Sequence, residues 1–103
     1  MSLESATETL RAKAALAPKL GYRVKFDLGD DGVIFWDGTE APPAIGNEAG
    51  EAGEADTTLT LSLDDLQKLI DGNLNPTLAY MTGKLKVEGS MGVALKISQL
   101  LED

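Results

Sequence analysis

The fold turns on residues 73–97: Asn73-Leu74-Asn75-Pro76-Thr77-Leu78-Ala79-Tyr80-Met81-Thr82-Gly83-Lys84-Leu85-Lys86-Val87-Glu88-Gly89-Ser90-Met91-Gly92-Val93-Ala94-Leu95-Lys96-Ile97. Asn75 before Pro76 is a helix start. The asparagine side chain accepts from the first free backbone N–H groups, and proline has no N–H to waste in the first turn. Thr77 to Met81 then make one short helix, closed by Gly83. Lys84-Leu85-Lys86-Val87-Glu88 alternates polar and apolar, the period of a strand with one wet face. Gly89 turns the chain, Ser90 caps, and Met91 through Leu101 form a last helix. Its apolar positions 91, 94, 95, 97, 100 and 101 cover more than a narrow stripe. Such a helix either buries most of itself or faces something apolar.

Upstream, Thr57-Thr58-Leu59-Thr60-Leu61-Ser62-Leu63 alternates leucine with hydroxyls, which predicts another strand. Ser62 is an N-cap with Asp65 three residues on, in the manner of a capping box. The helix it starts carries Leu63, Leu66, Leu69 and Ile70 on one stripe and stops at Gly72. Residues 4–17 are rich in alanine, leucine and charge, a helical composition ending near Pro18. Tyr22, Val24, Phe26 and Leu28 alternate with Arg23, Lys25 and Asp27. Gly29-Asp30-Asp31-Gly32 is a turn, after which Val33-Ile34-Phe35-Trp36 returns antiparallel. Asp37-Gly38 turns again, Pro42-Pro43 excludes a helix, and Ala44-Ile45-Gly46 has the makings of a brief edge strand. Residues 46–56 repeat Glu-Ala-Gly with no large apolar side chain, the composition of an acidic, mobile loop. The pattern is that of one α+β domain over 1–103. Its strands form one sheet with helices on one face, leaving the Arg23, Lys25, Lys84 and Lys86 side wet.

Composition removes most chemistry. The 103 residues include no cysteine and no histidine. There is then no thiol nucleophile, no thiolate or imidazole metal site, and no imidazole proton shuttle. Asp30 and Asp31 sit in a turn without a third ligand, and Gly83, Gly89 and Gly92 lack the spacing of a phosphate loop. Nine basic against seventeen acidic residues give a net charge of −8, which disfavours nucleic acid. Half of that charge sits on Glu48, Glu51, Glu54 and Asp56, whereas residues 84–103 are neutral. No stretch approaches the roughly 20 apolar residues of a membrane span. The first residues lack a signal peptide's basic and apolar regions, so a cytoplasmic protein is expected.

The stretch 73–97 resembles the C-terminal signature of the sterol carrier protein-2 (SCP-2) domain family. That signature runs Asn-Pro, a short helix, Gly-Lys-Leu-Lys, a β-branched residue, glycine, one residue, methionine, then an apolar helix with alanine and lysine. Ala55-Asp56-Thr57-Thr58-Leu59-Thr60-Leu61, followed by Leu66 and Leu69, also fits the family. The resemblance covers roughly residues 20–101 and is most specific over 75–96. It implies a five-stranded, mostly antiparallel sheet with helices on one face and a hydrophobic tunnel between them. It further implies non-catalytic binding or transfer of an apolar lipid: a fatty acid, a fatty acyl-CoA, a phospholipid or a sterol-like molecule. No cofactor or metal is implied. The chain departs from the family in its acidic, glycine-rich segment at 46–56. Its last residues, Leu100-Leu101-Glu102-Asp103, also differ from the peroxisomal signal of animal members. In style it is a bacterial single-domain member, so the sterol of the family name is not carried over.

On this resemblance the expected ligand-binding residues come from every layer. Phe26, Trp36, Leu59 and Leu61 line the inner sheet face, and Leu66 and Ile70 the middle helix. Leu78 and Met81 come from the short helix, Leu85 and Val87 from the last strand, and Met91, Ala94 and Leu95 from the last helix. Each of these also has the plain reading of ordinary core, and Trp36 in particular serves either as tunnel wall or as core. Lys84 and Lys86 read as a solvated strand face or as partners for a lipid head group, in a transient membrane contact. The alternative function is an accessory or interaction module. It would present a lipid to a partner enzyme, or form a homodimer through the apolar C-terminal helix.

Overall fold

Alternation builds the sheet. In β1 (Arg23–Asp27) Val24 and Phe26 are buried while Arg23, Lys25 and Asp27 stay partly exposed. β2 (Val33–Asp37) pairs antiparallel with β1, setting Trp36 against Val24 and Ile34 against Phe26. β3 (Ala44–Gly46) adds an edge, with Ile45 opposite Trp36. β4 (Thr57–Thr60) lies parallel to β1, with Leu59 beside Phe26, and β5 (Lys86–Gly89) closes the other edge antiparallel, with Val87 beside Leu59. The order is β3-β2-β1-β4-β5, the five-stranded, mostly antiparallel sheet expected. The register aligns Ile34, Phe26, Leu59 and Val87 in one row and Ile45, Trp36, Val24 and Thr57 in the next. Both rows follow from the period-two rule. The computed structural model describes residues 2–17, 20–40, 42–47 and 55–102. Most of the acidic stretch expected to form a loop, residues 48–54, and Pro18, expected to end the first helix, lie outside the described residues.

Four α-helices among the described residues cover that face: α1 (Leu3–Ala14), α2 (Leu63–Ile70), α3 (Pro76–Met81) and α4 (Met91–Glu102). α1 opens with a reciprocal capping box between Ser2 and Ser5 and buries Ala6, Leu10 and Ala14, spaced one helical turn apart. It is fixed to the β3 side of the sheet by polar bonds. Asn47 donates to the Thr7 hydroxyl at 3.0 Å and to the Val33 carbonyl at 2.9 Å, and the Arg11 guanidinium donates to the Ile45 carbonyl at 3.2 Å. In α2 the Ser62 hydroxyl accepts from the Asp65 N–H at 3.0 Å, and Leu63, Leu66, Leu69 and Ile70 are buried. These residues join Trp36, Phe26, Ile34 and Leu59 in one core with Val93, Ala94, Ile97 and Leu101 of α4.

Two details depart from the expected layout. The outer sheet face is not uniformly wet. Phe35 is buried there, outside the main core, with the Lys25 ammonium 5.9 Å above its ring. Lys25 and Phe35 are direct cross-strand partners, so the lysine stem has apolar surface to cover. β4 and β5 also pack closely at Gly89, whose φ is +96°. A Cβ at this position would run into the Asp56 carbonyl oxygen, so glycine is needed for both backbone conformation and space.

Candidate functional site

The edge formed by α3, β5 and α4 is built differently from the rest. Asn75 starts α3 as expected, its side-chain oxygen accepting from the Thr77 N–H at 2.9 Å and the Leu78 N–H at 3.2 Å. The six-residue helix ends at Gly83, whose φ of +81° lets the chain fold back. The Gly83 N–H donates to the Tyr80 carbonyl at 3.3 Å, and the Lys84 and Leu85 N–H groups both donate to the Ala79 carbonyl at 2.9 and 3.1 Å. This closure satisfies carbonyls that the helix end leaves open. It also corrects the expected strand. The alternation from Lys84 to Glu88 is real, but Lys84 and Leu85 are committed to the helix terminus, so β5 begins at Lys86.

α3 buries only Ala79. Between it, the approach to β5 and α4 lies an open groove of about 160 Å³. Pro76, Thr77 and Tyr80 form one wall, Leu85 and Val87 the floor, and Met91, Ala94, Leu95 and Ser98 the other wall. None of these side chains is charged. The volume is close to that of a dry engineered cavity of about 150 Å³ that binds benzene, so it takes a segment of roughly six carbons.

The broad apolar surface of α4 resolves into two stripes. Val93, Ile97 and Leu101 face the core. Met91, Ala94, Leu95 and Ser98, at i, i+3, i+4 and i+7, face the groove. The Ser90 hydroxyl caps this helix by accepting from the Val93 N–H at 3.2 Å. Ser98 donates to the Ala94 carbonyl at 2.8 Å, so its hydroxyl enters an apolar wall already satisfied. At the mouth, Met91 and Leu95 remain 37% and 38% exposed.

The structure thus divides the expected binding residues into three groups. Leu85, Val87, Met91, Ala94 and Leu95 meet at the groove. Phe26, Trp36, Leu59, Leu61, Leu66 and Ile70 lie in the core, which Leu85 and Ala94 also join from the groove side, and do not line the groove themselves. Leu78 and Met81 lie outside both, 59% and 73% exposed. Sequence reasoning missed Pro76, Thr77, Tyr80 and Ser98. Their signal was helical spacing, since 76, 77 and 80 share one face of α3 and 98 extends the 91-94-95 stripe by a turn.

Asp37, on β2, is held below its ordinary value of 3.8. Burial works against its charge. The Thr39 hydroxyl and backbone N–H, the latter at 3.0 Å, donate to it, and the Arg23 guanidinium lies 3.6 Å away; together these prevail. This cluster fastens the end of the β1–β2 hairpin and takes no part in the groove. No described helix is long and apolar enough to cross a membrane. Among the described residues no group of three or more carboxylates could hold a metal ion.

Comparison with known proteins agrees with the fold. The model of the SCP-2 sterol transfer family matches residues 3–102. Hydroxysteroid dehydrogenase-like protein 2 from Bos taurus is 37% identical over 81 residues, covering 78% of this chain and 19% of the relative. The chain spans between 12% and 19% of the length of the curated relatives it matches. Among solved structures, the apo form of sterol carrier protein 2 from Yarrowia lipolytica is 29% identical with a TM-score of 0.72, covering 95% of this chain and 77% of that one. The sterol carrier protein domain 2 of Helicoverpa armigera is 30% identical with a TM-score of 0.67, covering 96% and 79%.

Proposed function

Because the chain belongs to the SCP-2 sterol transfer family, we propose that it binds and hands on an apolar lipid, leaving the ligand chemically unchanged. The ligand is a single acyl chain, as in a fatty acid or a fatty acyl ester. It enters between α3 and α4, with Leu85, Val87, Met91, Ala94 and Leu95 as its contacts. The observation that supports this reading is the open, uncharged groove with two large apolar side chains left half exposed at its mouth. Six buried methylenes contribute about 5 kcal/mol before ordering costs. A longer chain needs α3 to swing outward, and α3 is the helix with one buried anchor.

Denaturing extraction followed by mass spectrometry tests the proposal, together with titration of a fluorescent fatty acid into the extracted and refolded protein. Co-purified lipid, and saturable binding that an unlabelled fatty acid displaces, are expected. Absence of both ends the reading. One observation favours a second role beside the first. The curated relatives carry this segment as less than a fifth of their length. In that setting the same groove presents its lipid to an enzyme, and genomic neighbours acting on acyl substrates are the expected companions.

A further inference from the structure

We propose that β5 is a self-complementary edge, through which two copies of this chain join into one continuous sheet. Among the described residues β5 pairs with β4 alone, so its far side is an open edge. The opposite edge, β3, has three residues, and the Arg11 guanidinium already donates to its Ile45 carbonyl at 3.2 Å. An open edge strand offers its outward N–H and C=O groups to another strand. Hydrogen bonding shows which groups of β5 those are. The Leu61 N–H donates to the Asp27 carbonyl of β1 at 3.1 Å, and the Ser90 N–H to the Asp56 carbonyl at 3.5 Å. Odd-numbered residues of β4 therefore bond toward β1, and even-numbered ones toward β5. Thr58 and Thr60 bond with their partners Glu88 and Lys86, and the N–H and C=O of Val87, between them, point to the open edge.

Charge then selects the partner and the register. On a two-fold axis at Val87, this residue and the partner's Val87 exchange both backbone bonds. Lys86 then stands directly opposite the partner's Glu88, and Glu88 opposite the partner's Lys86. These are the non-hydrogen-bonded positions, where cross-strand side chains come closest. Both side chains are exposed beside Thr60 and Thr58, and among the described residues neither has an ion pair within its own chain. The neighbouring symmetric registers are opposed. Centred on Lys86, the contact sets lysine against lysine; centred on Glu88, it sets glutamate against glutamate. An edge lysine ordinarily wards off pairing, but here Glu88 two residues on makes it a register mark. Residues 84–103, which hold the joint, are neutral, so the chain's −8 lies elsewhere.

The joint also reaches the groove. Val87 lies on its floor, on the sheet face opposite Lys86 and Glu88. A two-fold axis normal to the sheet keeps both sets of helices on one face. The partner's Val87 then extends the floor, and the two grooves lie side by side. The pairing itself needs no ligand, so it is tested on lipid-free protein and stands or falls apart from lipid binding.

The experiment is sedimentation equilibrium over a concentration series. The wild type, Lys86→Glu, Glu88→Lys and Lys86→Glu/Glu88→Lys are compared, and an unchanged thermal transition confirms that each variant is folded. A concentration-dependent dimer is expected of the wild type. Each single reversal turns both ion pairs into like-charge contacts and raises the dissociation constant about tenfold or more. The double variant restores both pairs in the opposite sense and dimerises like the wild type, a rescue that a purely structural role for either charge would not give. In the wild type, amide exchange at Val87 slows as concentration rises, while exchange at Lys86 and Glu88, already bonded to β4, stays constant. A monomer throughout the series, a double variant no tighter than the single ones, or a dimer indifferent to both reversals overturns the proposal. So does a dimer split by Met81→Asp and not by Lys86→Glu, which places the contact on α3.

Discussion

One side of the molecule is closed and the other is held open with the same kinds of residue. Trp36, Phe26, Leu10, Ile34, Leu59, Leu66 and Leu69, from three strands and two helices, are fully buried together. Around α3, by contrast, Leu78, Met81, Met91 and Leu95 remain in contact with water. The difference lies in length and anchoring. α1 has twelve residues and polar ties to Ile45 and Asn47, whereas α3 has six residues and one buried alanine. Hydrophobic sequence alone therefore does not fix burial. A short helix between two glycines cannot reach across a gap that a long one covers.

The contrast can be broken most sharply by equivalent truncations. Trp36→Ala should cost about 3–5 kcal/mol in urea unfolding, while Met81→Ala should stay within about 0.5 kcal/mol. Equal losses would mean that the open side is as closed as the other. Next in size is Ala94→Leu, which places three more carbons in the groove. It should lower fatty-acid affinity about tenfold or more, with at most about 1–3 kcal/mol of overpacking in the folded state. Unchanged affinity would move the ligand elsewhere. Asn75→Ala removes the acceptor for two N–H groups and should cost about 1 kcal/mol. Amide exchange should quicken over residues 76–81 and not in α1, whereas a uniform increase would show the two sides opening together.

The smallest expected effect concerns Asp37. A carboxyl held below its unfolded value contributes stability that is complete above that value and is lost as pH falls through the folded one. Below about pH 3.8 the wild type should therefore lose stability that Asp37→Asn does not. Acid titration of both unfolding midpoints checks this, and parallel curves would remove Asp37 from the account.

The sheet was readable in the sequence because its rules are local. Alternation in Arg23–Asp27 and Thr57–Thr60 fixes which face is buried, and even the three-residue strand at Ala44–Gly46 announced itself between turn residues. Serine and asparagine caps marked the starts of α2, α3 and α4 for the same reason. The groove was legible only in part. Met91, Ala94 and Leu95 stood out because α4 was too broadly apolar for one face. Nothing in their types separated them from Trp36 or Leu59, which pack among themselves, since a filled core and an open cavity use the same side chains. Lys84 was misplaced because alternation cannot register a hydrogen bond back to the Ala79 carbonyl. Pro76, Thr77, Tyr80 and Ser98 escaped because three are polar-tipped and one is cyclic, and a search for apolar residues passes over them.

The central claim is that an apolar chain lies between α3, β5 and α4 while the Trp36 core stays closed. Isotope-filtered nuclear Overhauser spectra between an unlabelled fatty acid and the ¹³C-labelled protein test it most directly. The account predicts contacts from the acyl methylenes to the Val87, Met91 and Leu95 methyl groups and none to the Trp36 indole. Contacts centred on Trp36 and Phe26, or none to α4, would contradict it.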